Sequence, residues 1–380
     1  MRILFFSECF GGYTTTFIYN AVTALAKKHV VKYVCVKREN ADIFPFGDIE
    51  IVPYREDVFL KKTKWILEKS GFYLHYGNNK FSSRINEIIG KFKPDIIHCH
   101  FANEALKLVD NYNDKLQPIV ITVHGYDVSA MLADYAYVKR LRDMVRRKNI
   151  GIIFSCQFFN KKLEDGNIRP VHSTVLRNSI YPEYFKRDTY APAKGAFTFL
   201  QVSSFVDKKG HFYTVHAFKK FLDTYKPNLS CRLVFSGEGN NCESIKALVV
   251  QLGLSEKVEF VGWINPEKVK MLMEDANVFL HHSVTVKNND QEGIPTSIIE
   301  AMAMELPVIS TWHAGIPEIV KDGVNGYLVQ ERDIEYYAQR MNDVLAWGYL
   351  KESRQKVIDG FEINRHARQL EEYYYKMISA

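Results

Sequence analysis

The sequence predicts an α/β protein of two doubly wound domains, each a parallel sheet with helices on both faces. Three observations carry this. Short apolar runs alternate with stretches of helical period almost throughout, and runs that are apolar at every position suit strands buried on both sides. The rhythm breaks at 179–195, where Pro182, Pro192, Gly195 and mixed charges read as a linker, and then it restarts. The chain has 380 residues, 47% of them hydrophobic and 25% charged, more than one hydrophobic core serves.

Taken in order, Ile3 to Phe6, Val30 to Val36, Asp95 to His100, Ile119 to Val123 and Ile150 to Phe154 are the strands expected of the first domain. Thr15 to Lys27 and Tyr135 to Arg147 are helices between them. Beyond the linker come strands at Phe197 to Val202, Arg232 to Phe235, Val258 to Val261, Val278 to His281 and Pro307 to Ser310. The end, Phe361 to Ile378, reads as one long amphipathic helix offering Leu370, Tyr373, Tyr374 and Met377 for packing. The expected division is 1–185 and 186–360, with 361–380 packing back on the first domain.

Charge is unevenly spread. Residues 1–190 hold 29 Lys/Arg against 20 Asp/Glu, a net +9; residues 191–380 hold 21 against 24, a net −3. A basic half suggests an anionic partner (lipid phosphate, membrane surface or nucleic acid), and a solvated basic face accounts for it equally well. The stretch Lys61-Lys62-Thr63-Lys64-Trp65 with Phe72, Tyr73 and Tyr76 mixes cations and aromatics, suiting an anionic bilayer or a packed domain face. Cys9, Cys35, Cys99, Cys156, Cys231 and Cys242 include no CxxC pair and read as buried thiols of a reducing compartment. The first apolar run is too short for a signal peptide, and no window approaches the ~18–20 apolar residues of a membrane span. A cytoplasmic protein, peripheral at most to the inner face of the plasma membrane, is expected.

Doubly wound sheets bind ligands beyond the carboxyl ends of their strands. The sharpest segment there is Glu292-Gly293-Ile294-Pro295-Thr296-Ser297-Ile298-Ile299-Glu300. Gly293 permits close backbone approach, Pro295 fits a first helical turn, and free amides at a helix start suit an anion or hydroxyl oxygens. A helix dipole alone explains Glu292, but Glu300 stands among apolar residues, where an unpaired carboxylate is costly. A second segment, Val202-Ser203-Ser204-Phe205-Val206-Asp207-Lys208-Lys209-Gly210, is a strand end, turn and helix start where phosphate is well placed. His124-Gly125 ends a strand, where a packed histidine and a catalytic one are equally expected. His98 and His100 share a strand face that could hold zinc, but no clear third ligand is nearby.

These segments resemble the family 4 retaining glycosyltransferases, which have the GT-B fold. The likeness covers both halves and is strongest over 290–330, including Gly315-Ile316-Pro317-Glu318 and Gly323-Val324-Asn325-Gly326. It implies that Glu292 with Gly293, Ile294 and Pro295 would hold donor-sugar hydroxyls, and Glu300 the nucleotide ribose. Lys209 would match the lysine of the family's diphosphate-binding turn. Ser204 stands where an arginine is usual, so Lys208 or Lys287 would have to add charge. Gly237-Glu238 of the Gly237-Glu238-Gly239 loop resembles the nucleotide side, Gly11-Gly12 the flexible loop over the donor phosphates, and His124 the histidine near the reacting sugar.

The resemblance implies no cofactor and no metal, a UDP- or GDP-linked nucleotide-sugar as co-substrate, and Lys209, Glu292 and His124 as the catalytic group. The stretch from Ser283 to Gln291 looks like members that build bacterial exopolysaccharide or capsule. The expected partners are therefore a saccharide acceptor on polyprenyl diphosphate and an anionic membrane surface, with no nucleic acid. A non-catalytic GT-B binding protein or partner subunit, and a GT-B sugar-nucleotide epimerase, are the alternatives.

Overall fold

The computed structural model describes residues 1–54, 79–112, 117–188 and 195–380. The aromatic-cation stretch at 61–76 and Pro192 lie outside them. The chain divides into one unit formed by Met1–Arg177 with Ile363–Ala380, and another formed by Asn178–Glu362. The change of unit thus comes before the linker expected to close the first domain at residue 185. The reason is local: the Ile180 amide donates to the Phe361 carbonyl, and Arg354 donates to the carbonyl of Phe185, so 180–185 is tied into the second unit.

The first unit has a parallel sheet in the order β3-β2-β1-β4-β5-β6-β7. Its strands are β1 (Arg2–Phe10), β2 (Val30–Arg38), β3 (Ile49–Ile51), β4 (Ile96–His100), β5 (Ile119–Val123), β6 (Ile150–Phe154) and β7 (His172–Val175). β4, β5 and β6 are buried at every position, as their unbroken apolar runs require. β1 runs four residues past the expected Phe6. Ser7 bonds the Tyr33 hydroxyl at 2.6 Å, and Phe10 packs on the Tyr33 ring at 4.0 Å, so the polar Ser7-Glu8 pair does not end it.

The helix expected at Phe361–Ile378 runs Ile363–Ile378, and a separate helix precedes it. Lys351–Phe361 belongs to the second unit and Ile363–Ile378 to the first, with Glu362 extended between them and bridged to Ile180. The second of these helices buries Ile363, Ala367, Leu370, Tyr373, Tyr374 and Met377 within the first unit. Gly151 on β6 makes the room: a Cβ there would stand 2.8 Å from both Met377 Sδ and the Tyr373 hydroxyl.

The second unit repeats the plan as β10-β9-β8-β11-β12-β13, all parallel. These are β8 (Phe197–Val202), β9 (Cys231–Ser236), β10 (Val258–Phe260), β11 (Val278–His281), β12 (Val308–Thr311) and β13 (Gly326–Val329). Phe199, Phe218, Phe221, Phe235 and Tyr337 are fully buried in its core. Strand order reverses between β8 and β11, so the loops leaving their carboxyl ends diverge and open the crevice where such sheets bind ligands. The helix after the Glu292 segment is Thr296–Ala303, with Pro295 just before it at ψ 128°, outside rather than within the first turn.

Candidate functional site

The turn after β8 carries both lysines. Gln201, the penultimate residue of β8, donates its side-chain amide to the Lys209 carbonyl at 2.9 Å. Gly210 closes the turn at φ 64°, where a Cβ would lie 1.8 Å from the His282 carbonyl oxygen, so only glycine lets the turn lie against the end of β11. The side chains then meet the Glu292 segment. Lys209 Nζ lies 2.8 Å from Glu292 Oε2, and Lys208 Nζ lies 3.2 Å from Glu292 Oε1 and 2.9 Å from Asp290 Oδ2.

Burial works against ionising Glu292, but Lys209 and Lys208 overcome it and hold its carboxyl well below the usual range. Burial likewise works against the Lys208 charge, and Glu292 and Asp290 raise its pKa above that of a free lysine. A second cation thus meets the same carboxylate as Lys209, although Ser204 brings none. Lys287 is exposed. Gly237 and Gly239 lie flat on this turn. Their added Cβ atoms would come within 2.1 Å of the Ser203 carbonyl and 2.5 Å of the Phe205 carbonyl, and the Phe205 amide donates to the exposed Glu238 at 2.8 Å.

Beyond Glu292 the chain runs through buried Gly293, Ile294 and Pro295 into the helix, whose start has no side-chain cap. Glu300, one turn further, is half-buried; burial alone raises its carboxyl to about 7, and no described residue pairs with it. A carboxyl left unpaired in such surroundings suits a ligand's hydroxyls. Sequence reasoning missed His313 and Glu331. His313, fully buried just after β12, accepts the Glu292 amide at 3.0 Å and meets Glu331 at 2.6 Å. Its position beyond a strand's carboxyl end is the signal used for His124, and could have found it.

The first unit carries the other candidates. His124 directly follows β5, between the rings of Phe17 and Phe101, each 4.7 Å away, with Nε2 3.0 Å from His100 Nδ1 and Nδ1 buried without a partner. Buried Asp127 shapes the turn by accepting the amides of Ala102, His124 and Gly125 at 2.8–3.0 Å. His98 has both nitrogens engaged, by Tyr374 at 2.5 Å and Thr122 at 2.7 Å, so it has none to offer zinc. Among the described residues no group of three His, Cys, Asp or Glu side chains could hold a metal ion. Gly11, at φ 87°, leaves 2.2 Å between a built Cβ and the Glu39 carbonyl, and Gly12 follows it into the turn.

A family model for glycosyl transferases group 1 matches residues 184–360, and one described as glycosyl transferase 4-like matches 2–148. The fold agrees with that of the Anabaena HepE protein, solved with UDP and glucose, at TM-score 0.76 and 15% identity over 98% of each chain. This chain is a glycosyltransferase of the GT-B fold. Among relatives, the glycosyltransferase is 28% identical to WcaL of Escherichia coli (strain K12), provisionally assigned to colanic acid biosynthesis, over 76% of this chain and 73% of that one. It is 32% identical to the amylovoran biosynthesis glycosyltransferase AmsK of Erwinia amylovora over 43% of this chain and 40% of that one.

Proposed function

We propose that this glycosyltransferase moves a hexose-type sugar, with retention of anomeric configuration, from a UDP- or GDP-linked donor to a lipid-linked saccharide in bacterial surface polysaccharide synthesis. The observation that carries the donor side is the meeting of Lys208 and Lys209 with Glu292 beside an uncapped helix start and the unpaired Glu300. Relatives named for colanic acid and amylovoran biosynthesis support the pathway class, and a neighbour solved with UDP supports the nucleotide. Neither alternative is favoured. The non-catalytic one rested on the charge missing at Ser204, and Lys208 supplies a charge on the same carboxylate.

In this reading the two lysines neutralise the departing diphosphate, a role that leaves no need for a divalent ion. Glu292 exchanges its lysine partners for sugar hydroxyls when the donor enters, Glu300 takes the ribose diol, and His124 attends the reacting face of the sugar. Catalysis is then mainly positioning and electrostatic stabilisation of an oxocarbenium-like centre. A melting-temperature screen over UDP-, GDP-, ADP- and TDP-sugars tests it, because a ligand specific for the native state stabilises by mass action, about 2.7 kcal/mol at a hundredfold excess over Kd. One sugar nucleotide should stabilise and be turned over with excess EDTA present. No stabilisation by any of them, or loss in EDTA restored by Mn²⁺ or Mg²⁺, overturns it.

A further inference from the structure

The segment that carries Glu292 has no helix or strand between the end of β11 and Thr296, yet both of its ends converge on one carboxylate. At its start, Thr285 gives its amide to Glu331 Oε2 at 2.8 Å and its hydroxyl to Glu331 Oε1 at 3.0 Å. At its end, the Glu292 amide donates to His313 Nε2, and His313 Nδ1 lies 2.6 Å from Glu331 Oε1. An amide can only donate, so Nε2 is the acceptor and the neutral ring's proton sits on Nδ1, facing the carboxylate. Gln291 closes the segment on itself by donating to Thr285 Oγ1 at 3.1 Å.

The hub is itself braced. Arg332 Nη1 reaches Glu331 Oε2 at 3.0 Å, its other terminal nitrogen reaches the Thr285 carbonyl, and its amide donates to His282 Nε2 at 3.1 Å. Arg332 adopts φ 68°, a left-handed conformation that a non-glycine residue holds only when its surroundings impose it. Burial opposes ionisation of Glu331, but His313 and the Thr285 amide outweigh it and hold the carboxyl down at about 2.

We infer that Glu331 and His313 form a clamp that sets where Glu292 stands against the donor sugar. They are positioning residues for sugar recognition and touch no reacting atom. The clamp bonds Thr285 and Glu292, while Glu300 and the Gly237 loop make no hydrogen bond to it, so its loss should be felt at the sugar and not at the nucleotide. This inference rests on the reading that Glu292 holds the sugar.

The test compares Kd, by calorimetry, for the sugar nucleotide that the screen selects and for its free nucleoside diphosphate: UDP-glucose with UDP, or GDP-mannose with GDP. His313→Ala and Glu331→Ala should weaken the sugar nucleotide at least tenfold and the diphosphate less than threefold. His313→Gln, whose side-chain amide can both accept from Glu292 and donate to Glu331, should restore most of the difference, and it keeps the test open if an alanine variant does not fold. Equal weakening of both ligands, or of neither while Glu292→Gln weakens the sugar nucleotide, makes the clamp merely structural. If Glu292→Gln leaves sugar-nucleotide affinity unchanged, the reading of Glu292 itself fails, and the clamp's role in sugar recognition falls with it.

Discussion

Lys208 and Lys209 share one carboxylate, Glu292, and Asp290 balances the second charge. Two cations facing two anions form a site neutral at rest, and a donor diphosphate must displace the carboxylates to reach the lysines. Lys209→Ala should then cut kcat/KM at least tenfold, the ~1.4 kcal/mol that a charge-assisted phosphate contact readily exceeds. Full turnover in that variant would move the phosphates elsewhere. Glu300 makes a second residue-scale case. Its folded carboxyl titrates near 7 against 4.5 in an open chain, so between those values the folded state binds the extra proton and stability falls as pH rises. Glu300→Gln should therefore melt at a higher temperature than the parent at pH 8 but not at pH 4.5. The gain should be roughly 1–2 kcal/mol, allowing for the solvent that still reaches the group. The same variant should lose nucleotide affinity, by about 1.5–3 kcal/mol for one charge-assisted bond. Stabilisation without lost affinity would remove Glu300 from the site.

Among elements, the turn after β8 depends on Gly210 more than on any cation. Gly210→Ala places a methyl against the His282 carbonyl at a left-handed φ, and should destabilise the second unit by roughly 2–4 kcal/mol, seen as a fall in its melting temperature. An unchanged melting temperature would mean that the turn shifts freely. Elements of this kind were legible to different degrees. β5, β6, β8 and β11 run over the residues expected, because strands buried on both faces write burial directly into an apolar run. β7, His-Ser-Thr-Val and half-exposed at the sheet edge, writes nothing comparable. The break at Glu362 falls two residues after Gly360, and the pairing of Glu362 with Ile180, far away in sequence, adds a constraint that no local pattern encodes. The site divides the same way. Lys209 and Glu292 sit in contiguous motifs, whereas His313 and Glu331 are 18 residues apart and meet only through β12 and β13.

Over the whole molecule, histidines set the response to acid. His98, His100, His124 and His366 in the first unit, and His211, His281 and His282 in the second, are held by burial below the ordinary 6.5, to about 3 at His100 and about 4 at His366. Below pH 6.5 the unfolded imidazoles take protons that the folded ones refuse, so stability falls as pH falls, by up to about 1.4 kcal/mol per pH unit for each such group. Melting temperature should drop steeply from pH 6.5 to 5 and be flat in this respect above 7.5. A flat profile across the lower range would mean that these rings are solvated. The basic half of the chain further predicts salt-sensitive binding to anionic vesicles, since exposed charges are screened over about 10 Å at 0.1 M. Equal partitioning onto neutral vesicles would count against it.

The helix Ile363–Ile378 belongs to the first unit, yet it is translated after every residue of the second. On the ribosome the earlier-made sheet must therefore wait, with the slot beside Gly151 open and His98 lacking its tyrosine, while Asn178–Glu362 is still being threaded out. The unit begun second can be the first one finished. The waiting sheet exposes apolar surface for the whole of that interval, which makes it the natural client of a chaperone during synthesis.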